Sequence, residues 1–295
     1  MTGISASAID LLPFLFLLAA VLGLWIHRAV WLGALAAAVI TGYVTGALQD
    51  LAVLWLALIG LFAWRYRLAS TGPRSAHAAA LRVLFGLALF ILTLACALLV
   101  LPGFARVTLT EPVALTTGAA PYGIGLGFAK VAPAILIFGI IHPDRVRSWP
   151  ELGVILRRVA PIWLVTVIAV MIFTLAVGYV RFEPKWTSLF AVWAVTNLFF
   201  TCFSEEAFFR GFLQRELSRI GSNRKLAAGV AVTVSAVLFG LAHSGGGALY
   251  VIAGVIAGLG YALAYQLTRR VEASMAVHFA LNATHFLLFT YPTIA

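Results

Sequence analysis

The sequence predicts an all-α fold: a polytopic transmembrane helix bundle with about nine or ten spans. The chain has 295 residues, of which 63% are hydrophobic and only 10% are charged, and its mean hydropathy is +1.04. About a quarter of the residues of a soluble domain are normally charged, so this composition excludes an ordinary soluble protein. The apolar residues also form long blocks, and about 20 such residues in a helix cross a hydrocarbon core of ~30 Å.

The apolar blocks define the predicted spans in order along the chain. The third block is short and the fifth contains Lys130, so the count is nine or ten. The first block is followed, not preceded, by basic residues, which argues against a secretory signal. The ten blocks are 9–26, 29–48, 50–64, 83–101, 122–141, 159–180, 187–209, 226–243, 248–267 and 274–291.

Basic residues are concentrated in alternate connections, with 16 on one side of the predicted bundle and three on the other. The positive-inside rule therefore places both termini outside the cytoplasm. The arginine-rich and alanine-rich composition is typical of a bacterial protein, so we expect the inner (plasma) membrane. The larger group is Arg28, Arg65, Arg67, Arg74, Arg82, Arg145, Arg147, Arg157, Arg158, Arg210, Arg215, Arg219, Arg224, Lys225, Arg269 and Arg270; the smaller is Arg106, Arg181 and Lys185.

This topology also accounts for the net charge of +10. The basic residues are spread over five loops, so we expect the lipid bilayer as a partner and no nucleic acid. Lys130 lies inside a span, where we expect it to extend its amine to the nearer interface. The glycine-rich stretch 116–127 is predicted to open directly into a helix and not to bind phosphate. Cys96 and Cys202 lie in apolar spans, and we expect no disulfide.

The polar pattern changes in the second part of the chain, which divides it into residues 1–180, helices of unrecognised type, and residues 181–295. Segments 204–211, 239–247 and 275–286 place ionisable or amide side chains inside otherwise apolar sequence. A charged residue at the bilayer centre costs roughly 2.5–3.5 kcal/mol on insertion scales. These segments are therefore the candidate functional site.

The first segment contains two adjacent carboxylates. Glu206 and Arg210 are four residues apart on a predicted helix, the favourable order for an ion pair. Glu205 points about 100° away from that pair. We expect Glu206 and Arg210 to neutralise each other, and Glu205 to face a cavity without a partner. The alternative is that both acids serve only as partners of Arg210.

The other two segments contribute histidines and an amide. His278 and Asn282 share one helical face, and His285 lies one turn further. Two such donors can stabilise an oxyanion, or they can form an ordinary hydrogen bond between helices. His243 ends an apolar run one turn after Phe239. By itself, His243 is better explained as an interfacial histidine at a helix end.

The order EExxxR, FxxxH and HxxxN on separate spans resembles the CPBP family, which comprises the type II CAAX prenyl endopeptidases and related bacterial proteins. The matching residues are Glu205, Glu206, Arg210, Phe239, His243, His278 and Asn282. The resemblance implies a membrane endopeptidase that performs intramembrane proteolysis of the glutamate type, with a membrane-associated protein or peptide as its substrate. It does not by itself imply a prenylated substrate.

In the mechanism that this resemblance implies, Glu205 and His243 activate a water molecule, and His278 and Asn282 stabilise the oxyanion. Glu206, Arg210 and Phe239 support these groups, and no cofactor is needed. The residue types also permit a zinc peptidase with Glu205, His243 and His278 as ligands. A non-catalytic scaffold or immunity protein and a proton-coupled transporter are alternatives from other classes.

One expectation conflicts with straight helices. His243 is predicted to lie ~25 Å along its span, near the outer face, whereas Glu205 and His278 fall toward the cytoplasmic half. The site can form only if a helix is tilted, broken or re-entrant, and the glycines at 245–247 could permit this.

Overall fold

The computed structural model describes residues 6–73, 75–142, 144–220 and 222–295. Arg74, one of the basic residues assigned to a loop, lies outside these ranges. The described residues form ten helices and one antiparallel pair of short strands, which confirms an all-α polytopic bundle.

The helices follow the order of the predicted spans, but several boundaries differ. Helix α7 is continuous and changes its winding along its length. The helices are α1 (Ala8–Gly23), α2 (Arg28–Val44), α3 (Asp50–Thr71), α4 (Ala76–Ala97), α5 (Phe128–Ile141), α6 (Trp149–Ala176), α7 (190–217), α8 (Arg224–Leu241), α9 (Ala248–Thr268) and α10 (Val271–Leu288). The strands are β1 (Arg106–Thr108) and β2 (Gly125–Gly127).

Several helices are suited to crossing a membrane. Helices α3, α4, α6, α8 and α9 are long and apolar enough by length and composition. Helices α1, α2 and α5 are also apolar but shorter, with 16, 17 and 14 residues. The chain is therefore a multi-pass membrane protein, and the count of nine or ten spans stays a prediction.

The predicted span 122–141 is wrong at its start. Helix α5 begins only at Phe128, because residues 125–127 form strand β2 and pair with β1. The Arg106 side chain covers the glycines of β2, and a Cβ atom added to Gly125 would lie 2.9 Å from Arg106 Nη2. The glycine-rich stretch therefore leads into a strand before the helix, contrary to the expectation of a direct opening.

Polar side chains fix the starts of several helices. Ser75 Oγ accepts a hydrogen bond from the Ala78 amide, and Ser148 Oγ accepts one from the Glu151 amide. Asn223 Oδ1 accepts hydrogen bonds from the amides of Lys225 and Leu226. These oxygens satisfy amides that have no partner in the first turn of a helix.

Alternate connections meet at the same end of the bundle. At the first end, Arg215 donates a hydrogen bond to the Ile141 carbonyl, and Arg269 donates one to Ser218 Oγ. At the second end, the Gln49 amide donates to the Gly103 carbonyl and the Ala120 amide donates to the Thr293 carbonyl. We call the first the basic end, because most of the predicted loop arginines lie there, and the second the less basic end. Which end faces the cytoplasm stays a prediction.

Helix α5 connects the first part of the chain to the second through large aromatic side chains. Phe128 and Phe138 of α5 are fully buried in one apolar cluster with Trp193, Phe203 and Phe286. Packing of α5 against α7 places Lys130 beside the two carboxylates of α7. The proposed division at residue 180 stays a prediction.

Candidate active site

Glu205 and Glu206 lie in a short α-helical turn between two π-helical segments of α7. The turn is Phe203–Glu206, and the π segments are Asn197–Cys202 and Ala207–Gln214. A π segment has a wider turn than an α-helix and occurs often at functional sites. It changes the directions in which side chains leave the helix, so the neighbouring acids can meet different partners.

Glu206 forms a fully buried ion pair with Arg210, as predicted. The distance from Glu206 Oε1 to Arg210 Nη1 is 3.0 Å, and both side chains have 0% exposure. His278 Nδ1 lies 2.8 Å from the same carboxylate oxygen. Because a carboxylate only accepts, Nδ1 carries the proton and donates it. His278 is thereby held with its Nε2 atom directed away from Glu206.

Arg210 is held on several sides. Its Nη2 donates a hydrogen bond of 3.0 Å to the Gly258 carbonyl in α9. The guanidinium group also lies 4.6 Å from the centre of the Phe239 ring and 5.3 Å from that of Tyr261. These contacts join α7, α8 and α9 around one buried cation.

Glu205 faces the histidines but has a partner that was not expected. Lys130 Nζ lies 3.1 Å from Glu205 Oε1. The other carboxylate oxygen, Oε2, is 3.9 Å from His243 Nε2 and 4.0 Å from His278 Nε2. The expectation that Lys130 extends its amine to the interface is therefore wrong, as is the expectation that Glu205 has no partner. The carboxylate offers the ammonium a counter-charge at short range, while 47% of the Lys130 side chain stays exposed.

His243 reaches the other site residues, which straight helices did not predict. Helix α8 ends at Leu241, and His243 follows it in a turn that continues into the short 3-10 helix Ser244–Gly246. Its ring turns back along α8, because Nδ1 donates a hydrogen bond of 2.7 Å to the Phe239 carbonyl. Nε2 is then left without a proton and faces Glu205. The glycines form the turn between α8 and α9 and do not break a helix.

Asn282 is positioned by a residue that sequence reasoning missed. Its Nδ2 donates a hydrogen bond of 3.2 Å to Asn197 Oδ1, which also accepts one of 3.2 Å from the Cys202 thiol. Asn197 is a buried amide in the middle of an apolar span. The criterion that selected the other polar residues of the membrane interior would have found it as well.

A cavity of about 420 Å³ connects these groups with the less basic end. Glu205, His243, His278 and Asn282 all lie in its wall, together with Asn197 and His285. His285 Nε2 lies 3.1 Å from the Thr290 carbonyl oxygen. Three tyrosines at the less basic end complete part of the wall: Tyr179 after α6, Tyr250 in the first turn of α9, and Tyr291 after α10. A second cavity of about 70 Å³ is lined by Lys130, Glu205 and His243, so Glu205 lies between the two cavities.

The same geometry bears on the zinc alternative, whose ligands would be Glu205, His243 and His278. Among the described residues, no group of three or more His, Cys, Asp or Glu side chains is arranged to hold a metal ion. Glu205, which a zinc site would need, is already paired with the Lys130 ammonium. A divalent cation would have to share that carboxylate with a second positive charge, so these residues do not fit zinc well.

Comparison with known proteins found one family match, which lies in the C-terminal part of the chain. Residues 186–284 match the family model described as type II CAAX prenyl endopeptidase Rce1-like. Searches of curated proteins and of solved structures found no match. The matched region contains all seven residues of the predicted site, whereas Lys130 lies outside it.

Proposed function

We propose that the chain is a peptidase of the CPBP family, the type II CAAX prenyl endopeptidases and their relatives, because residues 186–284 match the Rce1-like family model. The family identifies a membrane endopeptidase of the CAAX type, a hydrolase. We propose that it is a glutamate-type enzyme in which Glu205 and His243 activate water. The observation that carries this proposal is the distance of 3.9 Å between Glu205 Oε2 and His243 Nε2.

That distance suits a bridging water molecule. It is too long for a direct hydrogen bond, yet a water can lie within about 2.7–3.2 Å of both atoms. His243 Nε2 has a lone pair, because its proton is on Nδ1. Both groups can therefore accept a proton from the water, which leaves the water oxygen lone pair free to attack.

The proposed reaction begins when the water oxygen attacks the scissile carbonyl carbon and one water proton passes to Glu205. The carbonyl π electrons move to the oxygen and give a tetrahedral oxyanion. When the oxyanion collapses, the C–N bond breaks and Glu205 passes its proton to the leaving nitrogen. The products are an amine and a carboxylic acid, which becomes a carboxylate by giving the second water proton to His243 Nε2 and from there to solvent. No covalent enzyme intermediate is required. Cys202 and Ser244 have no role as nucleophiles in this scheme.

We assign the oxyanion to His278 and Asn282. One Asn282 Nδ2 hydrogen is used by Asn197, and the other can point into the cavity. His278 donates from Nε2 when both of its ring nitrogens carry protons. The resulting positive charge would have carboxylates on both sides, with Glu206 at 2.8 Å and Glu205 at 4.0 Å. Donors held rigidly in this way stabilise an oxyanion more than mobile water does.

Glu206, Arg210 and Phe239 act as supporting residues in this proposal. Glu206 orients the His278 ring, and Arg210 balances the Glu206 charge. Phe239 presents its carbonyl to His243 and its ring to Arg210. The proposed chemistry uses no cofactor, and a chelator test distinguishes it from the zinc alternative.

We propose that the substrate is a membrane-associated protein or peptide that enters from the less basic end. The supporting observation is the cavity of about 420 Å³, whose wall includes residues from the connections at that end. If the predicted orientation is right, this end faces away from the cytoplasm. A lipid-anchored protein, a signal-peptide remnant and a small secreted peptide are the classes that meet this requirement.

The experiment compares membranes from cells that express the wild-type protein with membranes that contain Glu205→Gln. New peptide N-termini are then identified by mass spectrometry. We expect a small set of N-termini that disappears in Glu205→Gln and persists in Glu111→Gln, a control at an exposed glutamate. Identical sets in wild type and Glu205→Gln, at equal expression, would instead support a non-catalytic scaffold or immunity protein.

A further inference from the structure

A separate polar cavity lies at the basic end, and none of its lining residues belongs to the candidate active site. It has a volume of about 330 Å³ and is formed where the ends of α3, α5 and α7 meet. Four arginines line it: Arg67, Arg145, Arg215 and Arg219. None of them has a role in the proposed peptidase mechanism.

The arginines partly serve the end of α5. Arg67 donates to the Ile140 carbonyl, Arg215 to the Ile141 carbonyl, and Arg145 to the carbonyls of Phe138 and Gly139. The carbonyls of Gly139, Ile140 and Ile141 belong to the last turn of α5, where a helix leaves carbonyls without intrahelical partners. The Phe138 carbonyl also accepts a hydrogen bond from the His142 amide. Each guanidinium group has five N–H donors, so donors remain for a ligand.

The positive charge in the cavity is largely uncompensated. Arg219 pairs with Glu216 at 2.8 Å, and within the described ranges of the chain no carboxylate forms a salt bridge with Arg67, Arg145 or Arg215. Glu272 interacts electrostatically with Arg145, but it is not part of the cavity wall. Its Oε1 already accepts hydrogen bonds from the Trp25 indole and the Val146 amide. Asp144, the acid next to Arg145 in the chain, acts on Tyr265 together with Arg215 and Arg219. Among the described residues, however, neither Glu272 nor Asp144 forms a salt bridge with the three cations that line the space.

His142 supplies independent evidence for a ligand. It lies in the cavity wall and is only 4% exposed. Within the described part of the chain, neither of its ring nitrogens has a hydrogen-bond partner. Its ring is stacked on Phe138, with 4.9 Å between the ring centres. Burial and the neighbouring guanidinium groups of Arg215 and Arg145 lower the pKa of His142 to about 3, so it is neutral and has one N–H to donate. Arg145 Nε is a second buried donor without a partner. Buried donors without partners in a native protein point to a bound ion or molecule.

An apolar groove adjoins this basic cavity. Its volume is about 290 Å³, and it shares Arg67, Gly139 and Ile140 with the basic cavity. Trp31, Leu32, Trp64 and Leu68 form its other walls, and Arg28 lies at its edge. Trp64 is 48% exposed on the outside of the bundle. Tryptophan and arginine side chains together are typical of the membrane interface.

We propose that the two cavities bind one anionic phospholipid, with a headgroup phosphate in the basic cavity and an acyl chain in the groove. Phosphate oxygens would accept hydrogen bonds from His142, Arg145 Nε and the remaining guanidinium donors. Basic pockets between transmembrane helices bind acidic lipid headgroups in this manner. The groove favours a lipid over free phosphate, because free phosphate has no apolar part to fill it.

The test measures lipid binding to the purified full-length protein in detergent by native mass spectrometry. Phosphatidylglycerol, phosphatidylcholine and inorganic phosphate are the probes. We expect one phosphatidylglycerol to bind at least about tenfold more tightly than phosphatidylcholine. Inorganic phosphate at millimolar concentration should not displace it. Equal affinity for the two lipids, or full displacement by phosphate, would overturn the proposal.

Matched variants separate this site from general charge attraction. The double variant Arg67→Gln/Arg219→Gln should bind phosphatidylglycerol at least about tenfold more weakly. Arg157→Gln/Arg158→Gln removes the same charge from exposed positions in α6 and should bind within about twofold of wild type. An equal loss in both double variants would contradict a specific site.

Two further variants test the site without removing any arginine, so that a loss of binding is not confused with a loss of folding. His142→Phe keeps a ring beside Phe138 but removes both nitrogens, and it should also weaken phosphatidylglycerol binding. Trp64→Ala removes a wall of the groove without changing the charge, and it should weaken the binding of the lipid. If both variants keep wild-type affinity while remaining folded, the lipid is not bound here.

Discussion

Glu205 and Glu206 are neighbours in the sequence, yet their carboxylates have different surroundings. Glu206 is fully enclosed, with Arg210 and His278 as its partners. Glu205 has Lys130 on one side and a cavity with two histidines on the other. Only the Glu205 carboxylate faces the cavity and can reach a substrate. We therefore assign proton transfer to Glu205 and orientation of the His278 ring to Glu206.

The ion pair of Lys130 with Glu205 gives a prediction. Lys130→Met leaves a largely buried carboxylate without its cation, so the charged form that acts as a base is no longer balanced. We expect kcat to fall by roughly tenfold to a hundredfold, which is less than the loss expected when a general base is removed altogether. A cleavage assay on the purified variant measures this. Lys225→Met, at an exposed lysine, is the control and should retain wild-type activity. Full activity in Lys130→Met would show that this ion pair has no role.

Asn197 gives a second prediction, because we propose that it acts on the reaction by positioning Asn282. Asn197→Ala frees the Asn282 amide to rotate, and we expect a fall in kcat of roughly tenfold to a hundredfold with KM nearly unchanged. The double variant Asn197→Ala/Asn282→Ala should be no slower than Asn282→Ala alone. Losses that add in the double variant would contradict a positioning role.

At the level of single residues, the sequence indicates the polar side chains that lie within otherwise apolar segments. The pairing of Glu206 with Arg210 follows from helical spacing, and the structure confirms it. The pairing of Lys130 with Glu205 could not be predicted, since it joins residues 75 positions apart on different helices. Asn197 could have been selected, because its amide is as costly in lipid as that of Asn282.

Helices α7 and α8 show how elements bring distant residues together. The π segments of α7 lie on either side of the two acids, and the His243 ring turns back beside α8. A regular 3.6-residue winding and straight axes were assumed from the sequence. That assumption is adequate for spacing within one turn, but it fails for the depth at which His243 meets Glu205.

Close packing of α8 on α9 gives a third prediction. A Cβ atom at Gly240 would lie 2.7 Å from the Val251 carbonyl oxygen and 2.8 Å from the Val255 amide nitrogen. Both atoms belong to the backbone, so Gly240→Ala must push α9 away from α8. We expect a destabilisation of roughly 1–3 kcal/mol, measured as a lower Tm in detergent, together with lost activity because His243 is three residues further on.

Gly229→Ala is the matched control for that change. It lies in the same helix, and a Cβ atom there would meet nothing within 4 Å. Its Tm should be equal to or slightly above that of the wild type, because alanine favours a helix over glycine. If both substitutions lowered the Tm equally, the contact between α8 and α9 would not be the cause.

Strand β2 illustrates an element that hydropathy does not reveal. Residues 125–127 are two glycines and a leucine directly before an apolar helix, so their hydropathy resembles that of the start of a span. Only the pairing with β1 shows that they form a strand. Such pairing depends on a partner far along the chain, so a local window of sequence cannot find it.

The whole molecule has two ends of different charge, and this gives a fourth prediction. Alternate connections meet at the same end, as the distribution of arginines requires. We expect the basic end to face the cytoplasm. In intact cells, a membrane-impermeant maleimide should label Glu111→Cys at the less basic end and should not label Ser222→Cys at the basic end. Both positions are exposed, and the native Cys96 and Cys202 are buried. The reverse labelling pattern would invert the orientation.

The first part of the chain contributes to the candidate active site even though the family match covers only residues 186–284. Lys130 reaches Glu205 from α5, and Val170, Met171 and Thr174 of α6 line the cavity. Sequence reasoning described these helices only as membrane-embedded. Their chemical role depends on tertiary contacts, which no motif in residues 1–180 indicates.

The central claim is that Glu205 activates water without a metal ion. The most direct test measures cleavage of one identified substrate by purified wild type, Glu205→Gln and Cys202→Ser, with and without a zinc chelator. We predict that the chelator leaves the wild-type rate unchanged, that Cys202→Ser stays active, and that Glu205→Gln loses at least roughly a hundredfold. A folded Glu205→Gln protein that cleaves at the wild-type rate would contradict the account, as would a wild-type enzyme that the chelator inactivates and zinc restores.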